Sequence, residues 1–308
     1  MVLACCKFNL NMPMGRRQQN ADGLFYGRPG LLHPSAQAKG EKAMFLGKSV
    51  RMERIFNRNT GRTIIVPMDH GVTVGPIAGL VDFKMTVNKV ANGGANAVLM
   101  HKGLPRCTHR GYGKDIGLII HLSASTALSE SPNAKRLVAT VEDALRLGAD
   151  GISVHINLGD ADEGRMLEDL GRVCSLASGW GMPVLAMMYA RGPKVKNPYD
   201  PSTIAHCARV AQELGADVIK IPYSGDPAGF HEAIRGIDVP VLIAGGEKMD
   251  STEELFQMVH DSLQAGGAGL SVGRNVFQHE DPERLVRALH GLVHGDLNVN
   301  KALALLEN

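Results

Sequence analysis

From about residue 44 to the C-terminus the chain alternates between two patterns of apolar position. Short β-branched or apolar runs lie at Ile64–Met68, Ala97–Met100, Leu118–His121, Gly151–Ile156, Val184–Tyr189, Val218–Pro222, Val241–Ala244 and Gly269–Val272. Between them lie stretches with apolar residues at helical spacing, such as Val141–Leu147, Thr203–Leu214 and Thr252–Gln264. That alternation predicts βα units built around a parallel sheet. Several helical stretches close on glycine, as in Asn92-Gly93-Gly94, Leu147-Gly148 and Leu214-Gly215, where a left-handed C-cap is expected. The recurring Gly-Ala-Asp or Gly-Ala-Asn that follows is a loose internal repeat. Eight such strands fit a closed (β/α)8 TIM barrel of about 250 residues. An open doubly wound sheet would have fewer strands and a glycine-rich dinucleotide loop after the first; Asp69-His70-Gly71-Val72 stands there instead.

Residues 1–43 break the pattern, with scattered Gly, Pro, Asn and Gln and the basic pair Arg16-Arg17. They are expected to be a disordered or loosely packed extension. A misassigned start, with Met14 or Met44 as the true beginning, explains them equally well. The expected organisation is therefore one barrel domain over residues 44–308 behind an N-terminal extension.

Composition narrows the function classes. The chain has 308 residues, 44% of them hydrophobic, enough for one large core. Its 36 glycines suit many short turns, and a single Trp argues against an aromatic nucleic-acid surface. With 33 basic and 31 acidic residues there is no basic stripe, so nucleic acid is excluded as a partner. The five cysteines form no C-x-x-C pair, which suggests neither a disulfide framework nor a zinc ribbon. No run approaches the ~18 apolar residues of a membrane span. Met1–Cys6 lacks the charged start of a signal peptide. A cytoplasmic protein with no membrane partner is expected.

In such barrels the reactive groups lie at the C-terminal ends of the strands. Lys220 interrupts the apolar run Val218-Ile219-Lys220-Ile221. Alternation puts Val218, Lys220 and Pro222 on one face and Ile219 and Ile221 on the other. If the isoleucines pack on helices, Lys220 points into the barrel, where desolvation favours the free amine that attacks a carbonyl to form an iminium. The competing reading is a structural lysine paired with a carboxylate such as Asp69. Iminium chemistry also needs proton relays, and Tyr189 and Asp69 end the fifth and first strands. Each has a plain alternative, a rim aromatic for Tyr189 and a helix cap for Asp69. Gly245-Gly246 and Gly273-Arg274 follow the last two strands, where loops often cradle phosphate with backbone N–H groups. Tight turns would explain the glycines but not Arg274 beside them. His101, His121 and His155 end strands two to four. Three imidazoles could hold a metal, although hydrogen bonding to loops or substrate is the commoner role. His70 and Lys102 stand as further substrate contacts.

These residues form a pattern that resembles the archaeal-type class I (DhnA-type) aldolases. The likeness is carried by Ile64-Ile65-Val66-Pro67-Met68-Asp69-His70-Gly71-Val72, Gly93-Gly94-Ala95-Asn96-Ala97-Val98-Leu99 and His109-Arg110-Gly111-Tyr112-Gly113-Lys114-Asp115. Trp180-Gly181-Met182-Pro183, Ala186-Met187-Met188-Tyr189 and Gly273-Arg274-Asn275-Val276-Phe277-Gln278-His279 continue it to the C-terminal part. The resemblance implies a metal-free, cofactor-free transaldolase-type reaction. A phosphorylated deoxy-diulose is cleaved and its enamine fragment joined to aspartate semialdehyde, on an alternative route to 3-dehydroquinate and aromatic amino acids. Lys220 would form the Schiff base, Tyr189 donate and Asp69 accept the proton. His70, Gly71, Val72, Thr73, Ala190, Arg191, Gly245, Gly246, Gly273 and Arg274 would bind substrate. A ring-like homo-oligomer is implied as well. Two departures stand out: residues 1–43 have no counterpart, and Ala190 replaces a proline. Two further readings remain. One is a plain aldolase acting on fructose 1,6-bisphosphate, or on dihydroxyacetone phosphate with aspartate semialdehyde. The other is a non-catalytic sugar-phosphate sensor.

Overall fold

A computed structural model describes residues 41–307, and the expectations for residues 1–40 lie outside the described residues. Eight strands, β1 Thr63–Pro67, β2 Ala97–His101, β3 Gly117–His121, β4 Gly151–Leu158, β5 Val184–Ala190, β6 Val218–Ile221, β7 Val241–Ala244 and β8 Gly269–Ser271, form a closed barrel. Each pairs in parallel with its sequence neighbours, and β1 closes the ring by pairing Thr63–Ile65 with Gly269–Ser271 of β8. This is the expected (β/α)8 barrel. The predicted strand ends are displaced by a residue or two. β6 stops at Ile221, ahead of Pro222, which has no N–H to give the ladder.

Alternation divides the barrel into two apolar shells. Ile64, Val98, Ile152, Ala186, Ile219, Ile221 and Ile243 face outward into the layer shared with the helices. Ile65, Leu99, Ile119, Leu185, Met187, Val218 and Leu242 fill the interior. Each fully buried side chain of this kind contributes roughly 1.5–3 kcal/mol. The polar residues singled out above continue the inward parity: Asp69 two beyond Pro67, His101, His121, His155, Asn157, Tyr189 and Lys220.

The helix Glu41–Ile55 starts inside the expected extension, so residues 41–43 are helical. Ile55 and Phe56 join the interior cluster, which closes the barrel at that end. Arg54 bonds Asp150 at 2.5 Å and Asp115 at 2.7 Å, and Lys48 bonds Asp217 at 2.8 Å. The Gly-Ala-Asp/Asn repeat has a structural reason. Asn96 accepts from the Ile64 N–H at 2.8 Å, Asp150 from Leu118 at 3.0 Å and Asp217 from Val184 at 2.9 Å. Each repeat therefore ties the start of one strand to the start of its neighbour.

Two elements at the mouth depart from the sequence expectation. The segment Asp69–Thr73, expected as loop, forms a short helix His70–Val74. A hairpin, Ser123–Ala124 paired antiparallel with Arg136–Leu137, is inserted between β3 and β4. Among the described residues no helix is long and apolar enough to cross a membrane.

Candidate active site

Lys220 occupies the β6 position between Met187 of β5 and Leu242 of β7. It is only 7% exposed. Among the described residues its ammonium makes no hydrogen bond and no ion pair. The structural pairing with Asp69 is therefore absent at contact distance, although the two charges attract across the mouth. A largely buried lysine whose ammonium has no bonded partner gains nothing for stability from that position, so its retention calls for another reason.

Asp69 stands at the N-cap of His70–Val74 but accepts no capping bond, so its carboxylate is left free to face the interior. His121 Nε2 and His70 Nδ1 each lie 3.7 Å from its oxygens. Burial opposes ionisation of Asp69, but the surrounding His121, His70, Lys220 and His101 outweigh it and hold the carboxyl well below its usual range. Burial in turn pulls His121 down to about 4 against the attraction of Asp69, and depresses His70 and His101 likewise. At neutral pH the cluster is thus one carboxylate among neutral imidazoles. His121 Nδ1 is fixed by Ser153 Oγ at 2.7 Å.

Tyr189 lies two residues beyond Met187, the partner of Lys220, on the same inward face. Its ring meets His155 at 5.0 Å between centroids, and the Arg191 guanidinium lies 4.8 Å above it. His155 Nε2 bonds Asn157 Oδ1 at 3.0 Å, and burial first, then Lys135 and Arg191, hold that imidazole neutral. The three strand-end imidazoles do not converge. His101 and His121 touch at 5.2 Å while His155 turns to Asn157. Among the described residues no three His, Cys, Asp or Glu side chains are arranged to hold a metal ion.

The two glycine loops are held together at the far side of the mouth. Gly273 starts the short helix Arg274–Phe277, and a Cβ there would lie 2.6 Å from His70 Cε1 and 2.8 Å from the Pro67 carbonyl oxygen. Only glycine allows that approach between the β1 and β8 loops. Arg274 Nη2 donates to the Gly246 carbonyl at 2.8 Å, while its buried Nε has no partner. His70 packs edge-on against Phe277 at 5.1 Å, and its buried Nδ1 also lacks a hydrogen bond. Arg274 Nη1 also lies 3.6 Å from the exposed Glu247 carboxylate, so its unpaired Nε is the donor this glycine cradle holds ready for an anion.

The sequence matches the family model for DeoC/LacD family aldolases over residues 63–279. The chain belongs to the DeoC/LacD aldolase family. It is 44% identical over 258 residues to the 2-amino-3,7-dideoxy-D-threo-hept-6-ulosonate synthase of Halobacterium salinarum, covering 84% of this chain and 96% of that protein. It is 39% identical to the 2-amino-4,5-dihydroxy-6-oxo-7-(phosphonooxy)heptanoate synthase of Streptomyces griseus, over 80% of this chain and 90% of that one. Among solved structures it resembles an archaeal fructose-1,6-bisphosphate aldolase whose catalytic lysine carries a carbinolamine intermediate. The TM-score is 0.73 and the identity 34%, over 80% of this chain and 99% of that chain. As a member of this family the chain is a class I, Schiff-base aldolase-type enzyme.

In this aldolase the barrel brings together Lys220, Asp69, Tyr189, His70 and the Gly273-Arg274 loop, as expected from strand position. Gly71, Val72 and Thr73 lie in the short helix that follows Asp69, with Val72 exposed, and Ala190 is buried at the end of β5 with Arg191 exposed beside it. Lys102 is not gathered in. Its ammonium lies 3.2 Å from Asp143 at the start of the helix Val141–Arg146. Two polar residues escaped the sequence reading. Asn275 donates to the Gly245 and Glu247 carbonyls, both at 2.9 Å, and accepts from the Met249 N–H at 2.6 Å, pinning the β7 loop. Its place directly after Gly273-Arg274 was the available signal. Lys135, in the hairpin, is 7% exposed and bonds Ser125 Oγ at 2.6 Å. Nothing in the polar run Ser129–Arg136 distinguished it.

Proposed function

We propose that this aldolase cleaves a phosphorylated deoxy-diulose and joins the resulting enamine to aspartate semialdehyde. The product would be 2-amino-3,7-dideoxy-D-threo-hept-6-ulosonate, on an alternative route to 3-dehydroquinate and aromatic amino acids. The reading is carried by Lys220, a largely buried lysine whose ammonium has no bonded partner at the mouth, in a chain 44% identical to the Halobacterium synthase. As the free amine, Lys220 Nζ adds to the ketone carbon. Tyr189 donates a proton to the carbinolamine hydroxyl, which leaves as water and gives the iminium. Asp69 then takes the proton of the hydroxyl across the scissile bond. The C–C bonding pair moves into the iminium as an enamine, and an aldehyde departs. The enamine carbon attacks the aldehyde carbon of aspartate semialdehyde, the new alkoxide is protonated, and water releases Lys220. Asp69 is ionised at neutral pH, the state a proton acceptor requires. Gly245, Gly246, Gly273 and Arg274 bind the phosphate, with His70 beside them. Gly71, Val72, Thr73, Ala190 and Arg191 complete the substrate contacts. The scheme needs neither metal nor cofactor, since the lysine itself supplies the electron sink. A cytoplasmic, ring-like homo-oligomer is part of the same reading.

A second reading is condensation of dihydroxyacetone phosphate with aspartate semialdehyde, favoured by the phosphonooxy group in the name of the Streptomyces product. Mass spectrometry separates the two. The purified enzyme is given deoxy-diulose phosphate, fructose 1,6-bisphosphate or dihydroxyacetone phosphate, each with and without aspartate semialdehyde. The first reading expects an unphosphorylated amino-ketose from the deoxy-diulose phosphate alone. A phosphorylated heptanoate from dihydroxyacetone phosphate would replace it with the second. Borohydride should trap the donor on Lys220, and an adduct on any other lysine, or full activity in Lys220→Ala, removes the mechanism from both.

A further inference from the structure

Lys135 has no part in the chemistry above, yet the fold holds it in place. Its hairpin is fixed to the barrel by bonds from the Val138 N–H to the Leu122 carbonyl at 2.8 Å and from the His155 N–H to Ser123 Oγ at 3.0 Å. The segment before it is held by Asn157 Nδ2, which donates to the Asn133 carbonyl at 2.7 Å. The Lys135 ammonium is buried, and its one hydrogen bond among the described residues goes to the neutral Ser125 hydroxyl at 2.6 Å. That hydroxyl in turn donates to the Pro132 carbonyl at 2.6 Å. No carboxylate among the described residues lies within ion-pair distance of Lys135, nor of Arg191.

The two cations are linked through β4: Asn157 holds the segment before Lys135 and bonds His155, and His155 packs on the Tyr189 ring that lies beneath Arg191. Burial first, and then the positive charge of Arg191, push the Lys135 ammonium below its ordinary range, while Asp69 pulls the other way from across the mouth. Both cations also bear on His155, whose ring packs on Tyr189 beneath the Arg191 guanidinium. Two cations that repel each other, one of them desolvated, describe a site awaiting an anion.

Its position follows from strand order. The phosphate cradle belongs to β7 and β8, Lys220 to β6, Tyr189 to β5, His155 and Asn157 to β4, and the Lys135 hairpin precedes β4. A ketose phosphate whose phosphate belongs to the half held by Lys220, such as dihydroxyacetone phosphate or fructose 1,6-bisphosphate, places that phosphate at β8 and the bond made or broken past Tyr189 toward β4. A deoxy-diulose phosphate that leaves an unphosphorylated product instead carries its phosphate on the departing aldehyde. The aldehyde half then ends beside Lys135 and Arg191. We infer that Lys135, together with Arg191, binds the anionic end of the aldehyde partner and makes the enzyme selective for charged over neutral acceptors. Such an anion is either the carboxylate of an acceptor aldehyde or the phosphate of a departing one. The inference builds on the aldol reading of Lys220 but does not require aspartate semialdehyde to be the acceptor.

The test compares wild type, Lys135→Met and Lys135→Arg, each loaded with hydroxyacetone or dihydroxyacetone phosphate. The acceptors offered are aspartate semialdehyde, succinic semialdehyde, glyceraldehyde 3-phosphate, and neutral glyceraldehyde. Lys135→Met should lose about 10–100-fold in kcat/KM for the three acceptors that carry a carboxylate or a phosphate, the scale of one hydrogen bond to a charged group. Neutral glyceraldehyde and borohydride trapping of the donor on Lys220 should be unchanged, and Lys135→Arg should restore most of the discrimination. Loss confined to the carboxylates assigns the site to the acceptor acid, and loss confined to glyceraldehyde 3-phosphate assigns it to a phosphate. If wild type ignores aspartate semialdehyde but uses succinic semialdehyde or glyceraldehyde 3-phosphate in a Lys135-dependent way, the proposed substrate fails and this inference stands. An equal loss on neutral glyceraldehyde, slower donor trapping, or no change with any anionic acceptor overturns it.

Discussion

Replacing Tyr189 by Phe isolates one hydroxyl. The Tyr189 ring is held by His155 at 5.0 Å and by Arg191 at 4.8 Å, contacts that a phenyl ring keeps. Tyr189 is partly exposed at the mouth, and among the described residues its hydroxyl makes no hydrogen bond, so the fold should not notice the change. Only the proton needed to expel the carbinolamine hydroxyl is lost. One general acid is worth about 10²–10⁴ in rate, or roughly 3–5 kcal/mol at 1.36 kcal/mol per decade. Donor binding should survive while kcat falls by that factor. Borohydride trapping on Lys220 should slow in proportion, because dehydration precedes the reducible iminium. Asp69→Asn should behave differently: the iminium forms and is trapped, but C–C cleavage stops. Rapid-quench trapping of both variants with a ketose phosphate separates the roles. Trapping of Tyr189→Phe at the wild-type rate, with cleavage intact, would leave Tyr189 as a rim aromatic.

Arg274→Ala should raise KM for phosphorylated donors by about 10–100-fold and leave unphosphorylated ketones unaffected, since a phosphate contact is kept from ground to transition state; equal losses on both would remove the phosphate from that loop. Gly273→Ala should have the same kinetic signature, because its Cβ would meet the Pro67 carbonyl oxygen at 2.8 Å and push the Arg274 turn off the cradle; unchanged KM would show that the turn tolerates the shift. The depressed His121 imidazole should also register in acid stability. Its folded value of about 4 lies below the ordinary 6.5, so the unfolded chain binds more protons between them. His121 stabilises the fold above pH 6.5 and loses that contribution as pH falls to about 4, at most roughly 3 kcal/mol at 1.36 kcal/mol per unit. Urea melts of wild type and His121→Gln across that range should diverge by this amount, and parallel curves would refute the assignment.

The barrel and its reactive face were legible in the chain because both depend on local period. Alternation in Val218-Ile219-Lys220-Ile221 put both isoleucines outward and the lysine inward, and the inner and outer shells have that composition. Strand ends in a parallel barrel all open to one mouth, so Asp69, Tyr189 and Lys220 were associated before any distance was known. The glycine repeats were legible as helix ends, with Gly94 at φ 105° in the left-handed region. Their acidic residues, which join neighbouring strands, became intelligible only in the folded sheet. Tertiary structure alone decided the rest. The hairpin of Ser123–Ala124 and Arg136–Leu137 has strands two residues long, too short for any periodicity to show. The burial of Lys135 follows from how that hairpin seats on β4, not from the polar residues around it. Asp69 occupies a cap position that its sequence context also suits, and only the absence of a capping bond shows its carboxylate facing the imidazoles. Period 2 and glycine punctuation are properties of neighbours along the chain. Charge at the mouth is a property of residues that neighbour only in space, where burial and opposing ions set each proton.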